Sequence, residues 1–104
     1  MTSGVYLLHF CPAYKQARHY LGWANDIPAR FREHLAGRGA RLVQVAVEAG
    51  CTVHLVRVWQ NQDRKFERRL KKWKKSPCLC PVCRGKRTLE QIQISLEELS
   101  ELAF

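Results

Sequence analysis

Acidic residues are scarce in this chain, and most of its length has almost none to balance its bases. Of 104 residues, 18 are Lys or Arg and 9 are Asp or Glu, giving a formal charge of +9. All eighteen bases fall within residues 1–87, beside only five acids, whereas 88–104 carries four Glu and no base. Such a body suits phosphate, in nucleic acid or on an anionic surface. Long apolar runs are missing too: none approaches the roughly 18 residues of a membrane span, so membrane insertion is not expected. The N-terminus lacks the basic, apolar, small-residue order of a signal peptide, which argues against secretion. No internal repeat is visible, and no paired cysteine framework either. There are five Cys, an odd number, and three lie within six residues (78–83). That pattern fits reduced thiols in a cytoplasmic, reducing compartment better than a disulfide scaffold.

What is present is 46% hydrophobic, enough for one small domain with a core. "GVYLLHF" (4–10) is a nearly continuous apolar run and reads as a central strand buried on both faces. Cys11-Pro12 breaks it, "AYKQAR" (13–18) forms a turn, and "HYLGW" (19–23) is the return strand, with Gly22 inside it. Asn25 or Asp26 caps a helix with Pro28 in its first turn, buried through Ile27, Phe31 and Leu35, and Gly37 or Gly39 ends it. A second amphipathic piece covers about 40–49, and "TVHLVRVW" (52–59) alternates as a third strand. Residues 62–75 read as a helix with Phe66, Leu70 and Trp73 on one face, stopped by Ser76-Pro77. The expected fold is α+β: a small mixed sheet of about three strands, flanked by helices, in β-β-α-β-α order. Residues 1–87 form the main domain with a Cys-rich loop at 78–83. Residues 88–104 form an acidic tail with a short helix, in which Ser95 and Glu98 have capping-box spacing.

Gly4-Val5-Tyr6, Tyr20-Leu21-Gly22, "NDIPARFREH", "AGRGAR" and "ERRLKKWK" occur in that order on this pattern. Together they resemble the GIY-YIG nuclease family, over most of residues 3–75 of a small, single-domain member. The resemblance implies an endonuclease that hydrolyses DNA phosphodiester bonds by tyrosine-assisted attack of water, leaving a 5′-phosphate and a 3′-hydroxyl. It implies catalytic roles for Tyr6, Tyr20, Arg30, His34 and Glu67, with Gly4 and Gly22 as structural motif positions. One Mg²⁺ or Mn²⁺ would sit on Glu67. Beyond the Glu67 helix many members carry a further polar residue, often asparagine, and Pro77–Arg84 holds no clear counterpart.

The chemistry is sensible on its own terms. Arg30 offers a planar fork matched to phosphate. Glu67 offers one carboxylate, the usual protein share of a Mg²⁺ site. It falls at the edge of the Phe66/Leu70/Trp73 stripe, although pairing with Lys71 at i+4 would also account for it. Tyr6 and Tyr20 could equally be cross-strand core aromatics, and His34 a solvated helix residue. If a tyrosine is the base, neighbouring positive charge must lower its pKa from about 10. Gly22 leaves room for the first helix, and Gly37 and Gly39 could present backbone N–H groups to phosphate or simply end that helix.

Residues 64–75 hold eight bases beside Glu67. Lys65, Arg68, Arg69, Lys71, Lys72 and Lys75, extended by Arg32, Arg38 and Arg41, form the candidate contact with the backbone of double-stranded or branched DNA. Cys80-Pro-Val-Cys83 is a good half of a zinc knuckle; Cys78 could add a third ligand, and Cys51, Cys11 or a histidine a fourth. Two other functions stay open: a non-catalytic nucleic-acid-binding module, or a zinc-stabilised interaction domain whose acidic tail binds a protein partner or forms a homodimer through Leu96, Leu99 and Leu102.

Overall fold

The computed structural model describes residues 3–73 together with Cys80 and Cys83. Six elements follow in order: β1 (Gly4–Tyr14), β2 (Ala17–Ala24), α1 (Ile27–Leu35), α2 (Arg41–Glu48), β3 (Thr52–Gln60) and α3 (Arg64–Trp73). The class is α+β, as expected. The sheet, however, is antiparallel throughout rather than mixed, in the order β2-β1-β3. The α1–α2 connection returns β3 in the same direction as β2, but β3 docks on the far side of β1, so no parallel neighbours arise. The segment at 40–49 is a helix in its own right, which makes the order β-β-α-α-β-α.

β1 is the central strand, with Val5 to Leu8 and Phe10 buried. Its alternation sends neighbouring residues to opposite layers. Tyr6, Leu8 and Phe10 join Ile27 and Phe31 of α1, Val43 and Ala46 of α2, and Val53 and Leu55 of β3 in one core. Val5 and Leu7 join Leu21, Val56, Leu70 of α3 and Cys80 in a second core on the other face, with Phe66, Trp23 and Trp59 at its margin. A bulge in the β1–β3 pairing between Leu7 and Leu8 places Val56 in this second layer.

β1 runs past Cys11-Pro12, whose peptide bond is cis, to Tyr14. Pro12 lies where neither ladder needs its missing N–H: pairing with β3 ends at Cys11↔Thr52, and pairing with β2 lapses between His9 and Tyr14.

Asp26 caps α1, its carboxylate accepting from Ala29 N–H at 3.2 Å, with Pro28 in the first turn. The buried stripe differs from the expected one at its end. Leu35 is 46% exposed, while His34 is fully buried. Helix geometry explains the exchange: from Ile27, seven residues return to within about 20° of the starting direction, whereas eight overshoot by about 80°. Gly37 has φ +76° and ends α1, with Arg38 N–H donating to Glu33 and Gly37 N–H to His34. This is the paired bonding of a glycine C-cap. Trp73's side chain, Cys78, Lys75 and the tail helix lie outside the described residues. Among the described residues no helix is long and apolar enough to cross a membrane.

Candidate active site

The β1–β2 register sets Tyr6 directly opposite Gly22. The expectation that Gly22 makes room for the first helix needs revision: the space belongs to Tyr6. A Cβ at Gly22 would stand 2.6 Å from the Tyr6 hydroxyl and 2.9 Å from Tyr20 Cε1. Tyr20, opposite Leu8, faces the same layer. The Tyr6 and Tyr20 ring centroids are 6.2 Å apart, and each ring meets that of His34, at 5.7 and 5.4 Å. The three rings form one cluster drawn from β1, β2 and α1.

Its polar link is a 2.7 Å hydrogen bond between the Tyr6 hydroxyl and His34 Nε2, buried from solvent. His34 Nδ1 has no hydrogen-bond partner among the described residues. Gly39 lies against that side of the ring, and a Cβ there would overlap Nδ1. Gly39 is therefore a packing glycine, and Gly37 a helix terminus; neither arrangement needs a phosphate to explain it. Burial, with Arg30 adding to it and Glu33 opposing, lowers the His34 pKa to about 4, so the ring is neutral near pH 7.

Tyr6 departs from expectation. Burial first, and then Tyr20, push its phenol above the ordinary value; the Arg30 guanidinium at the hydroxyl pulls it down without prevailing, and Glu67 adds a small upward push. Tyr6 is thus a neutral phenol in the resting protein, and neighbouring positive charge does not activate it unaided. Arg30 is half-exposed and held by Glu33 at 3.1 Å. Burial opposes its charge, but Tyr6 and Glu33 more than compensate, so it stays cationic.

Arg30 also lines a cleft of about 350 Å³ at the end of β2, with Trp23, Asp26, Ala29 and Glu33 on one side and Arg64 of α3 on the other. Arg64 stacks on Trp23 at 4.8 Å, and Trp23 Nε1–H donates to the Gln62 carbonyl at 2.9 Å, tying the approach to α3 onto β2. Sequence reasoning missed this stack and the Arg30–Glu33 pair, although the i, i+3 spacing of the latter was there to find.

Asp63 starts α3, accepting from Phe66 N–H at 2.9 Å. Phe66 and Leu70 bury the helix, which leaves Glu67 at the rim with an 18% exposed side chain, 3.6 Å from Lys71. The i+4 pairing thus exists, and it sits in the same carboxylate whose charge reaches Tyr6. As a mostly buried carboxylate, Glu67 offers the kind of oxygen donor that a hard divalent ion takes. Arg32, Arg38, Arg41, Lys65, Arg68, Arg69, Lys71 and Lys72 are all exposed. The first three lie at or beyond α1 on one side of the sheet and the rest on α3 on the other.

Of the partners left open for Cys80 and Cys83, the structure brings histidines rather than the other described cysteines. Cys11 and Cys51 stand apart, while Cys80 and Cys83 meet His9 and His19, with all four ligand atoms within 4.8 Å of one another. This group could hold a metal ion, and its nitrogen and sulfur donors suit zinc better than Mg²⁺ or Mn²⁺. Comparison with protein-family models, curated proteins and solved structures finds no match to this chain.

Proposed function

We propose that this protein is a GIY-YIG-type endonuclease that hydrolyses DNA phosphodiester bonds with one divalent metal ion. The observation that carries the reading is the buried Tyr6–His34 hydrogen bond, made beside the Arg30 guanidinium. A structural core tyrosine needs no neutral histidine aimed at its hydroxyl and no cation beside it. In a phosphodiester hydrolase both have work to do: the histidine takes up a proton and the cation meets the phosphoryl oxygens.

In this mechanism Tyr6 O–H donates to His34 Nε2 at rest. As a water attacks phosphorus, its proton passes to the Tyr6 oxygen while the Tyr6 proton passes to Nε2, leaving a neutral phenol and an imidazolium. Tyr6 thereby acts as base without ever ionising, which reconciles the role with a phenol whose pKa is raised. The new oxygen–phosphorus bond forms as the bond to the 3′ oxygen breaks, giving a 5′-phosphate and a 3′ oxygen that takes its proton from solvent, to which the His34 imidazolium then returns one. Arg30 binds the non-bridging oxygens, where negative charge accumulates. Tyr20 holds the other two rings in place and narrows the water's approach. Glu67 would hold a Mg²⁺ or Mn²⁺ that supplies Lewis-acid stabilisation of the departing oxygen. The exposed bases on α3 and around α1 hold duplex or branched DNA by its backbone, a contact that positions without reading sequence.

The test is nicking of supercoiled and branched DNA with Mg²⁺ or Mn²⁺ by wild type, Tyr6→Phe and Glu67→Gln. The expected result is metal-dependent cleavage that falls at least about 100-fold in each variant while DNA binding persists. Tight DNA binding with no cleavage of any substrate by wild type would instead make this a binding module.

A further inference from the structure

On the opposite face of the same hairpin, we infer a structural zinc site formed by His9, His19, Cys80 and Cys83. The inference rests on the geometry of these four side chains and does not depend on any nuclease activity. His9 of β1 and His19 of β2 are direct partners in the ladder, so their rings leave the sheet side by side. Their nearest nitrogens, His9 Nδ1 and His19 Nε2, are 3.2 Å apart. Cys83 Sγ stands 3.3 Å from His19 Nε2 and 3.7 Å from His9 Nδ1, and Cys80 Sγ 3.6 Å from His9 Nδ1.

These separations are the edges of a coordination tetrahedron. With metal–nitrogen bonds near 2.05 Å and metal–sulfur bonds near 2.3 Å, tetrahedral geometry requires N···N edges of about 3.3 Å and N···S edges of about 3.6 Å. The single N···N edge and all three N···S edges given above fall within about 0.3 Å of those values. The four ligand atoms all lie within 4.8 Å of one another, close enough for one ion to bridge them. Two imidazoles and two thiolates in a tetrahedron select zinc over the hard cations, and a complete set of four protein ligands marks a structural rather than a catalytic ion. Cys80 and Cys83 are free thiols.

The ion's work follows from where the ligands come from. Cys80 lies beyond α3 yet is fully buried against Val5, Leu7, Leu21 and Leu70. Zinc would bind this downstream segment to the β1–β2 hairpin and so trap α3 between two ties. One is the clamp after its C-terminus; the other is the Trp23–Gln62 bond before its N-terminus. Because the unfolded chain does not hold these four ligands together, the free energy of binding the ion would add to that of folding.

The experiment uses full-length protein purified under reducing conditions with zinc present. Elemental analysis should return about one zinc per chain, and Co²⁺ exchanged into wild type should show the intense ligand-field and thiolate charge-transfer bands of tetrahedral nitrogen–sulfur coordination. His19→Gln and Cys83→Ser should each lose the metal, while Cys11→Ser, Cys51→Ser and Cys78→Ser keep it. Should the ligand variants fail to fold, wild type decides: stripping its zinc with a strong chelator should lower the thermal midpoint by about 10 °C or more, reversed by adding zinc. Wild type that purifies without zinc and gains no stability from it, or that loses zinc on substitution of Cys11, Cys51 or Cys78, overturns the assignment.

Discussion

Acidification should destabilise this protein through one ring in particular. His34 is fully buried, and its surroundings are Tyr6 from β1, Tyr20 from β2, and Arg30 and Glu33 from its own helix. Its pKa is lowered from 6.5 to about 4. Between those values the unfolded chain takes up a proton that the folded chain refuses, so stability falls as pH falls. Above pH 6.5 neither state is protonated and no penalty exists; below pH 4 both are, and the penalty stops growing. At about 1.4 kcal/mol per unit, His34 alone removes about 2 kcal/mol between pH 7.5 and 5.0, and about 3 kcal/mol once pH 4 is reached. Burial also lowers the His54 pKa, and zinc would hold His9 and His19 neutral, so the ring must be isolated by difference. Urea denaturation of wild type and His34→Gln at both pH values provides it, since glutamine keeps a polar group near Nε2 but takes up no proton. The variant starts less stable at pH 7.5, and acid narrows the gap by about 2 kcal/mol, or about 1 M in the urea midpoint for a domain of this size. A gap that stays constant across the range would show that His34 protonates as easily folded as unfolded, and would remove the neutral proton acceptor from the proposed mechanism.

Gly22→Ala places a methyl group 2.6 Å from the Tyr6 hydroxyl; it should cost about 1–3 kcal/mol in urea melts and reduce plasmid nicking at least about 100-fold, and an undiminished rate would mean that Tyr6 is not positioned across this strand. Lys65→Gln with Arg69→Gln removes two exposed charges from α3. It should flatten the dependence of log affinity on log salt by about two without changing sequence preference, read by fluorescence anisotropy on short duplexes. Leu35→Gln, at a half-exposed position, should shift stability by no more than about 0.5 kcal/mol, whereas Phe31→Ala, one turn earlier in the core, should cost about 3–5 kcal/mol.

The contrast between Phe31 and Leu35 shows where the sequence was legible and where it was not. Ile27 and Phe31 were found by spacing, and Asp26 and Pro28 by cap chemistry, because each is a property of a few consecutive residues. Leu35 was misplaced because hydrophobicity outweighed geometry: a histidine at i+7 lies closer to the stripe than a leucine at i+8, and composition says nothing about which aromatic hydroxyl will meet it. β1 was extended past Pro12 because both of its ladders lapse there, a tertiary circumstance that a proline rule applied to one strand does not see. The sheet was expected to be mixed because three strands fix their pairing only when the side on which β3 docks is known. The Cys80–Cys83 pair was visible by spacing, while its partners were not, although a signal existed. Once Tyr6 is set against Gly22, simple counting along the hairpin puts His9 against His19.

That shared count links the two faces of the molecule. A pleated pair alternates strictly, so the register that points Tyr6 and Tyr20 at His34 also points His9 and His19 the other way, at Cys80 and Cys83. A slip of one residue would turn the tyrosines away from α1 and the histidines away from the cysteines at once. A zinc ion is a demanding judge of register, since its ligands must stand within a few tenths of an ångström of their tetrahedral positions. Tyr20 follows His19 directly, and Tyr6 precedes His9 by three residues on the same strand, so an ion that holds His9 beside His19 also holds Tyr6 across Gly22. The coupling needs no contact between the sites; the backbone of one hairpin carries it. It follows that zinc removal should lower nicking even where the fold survives, while Glu67→Gln should abolish nicking and leave zinc content untouched. Equal nicking rates for zinc-loaded and zinc-stripped folded protein would show that β1–β2 keeps its register without the clamp.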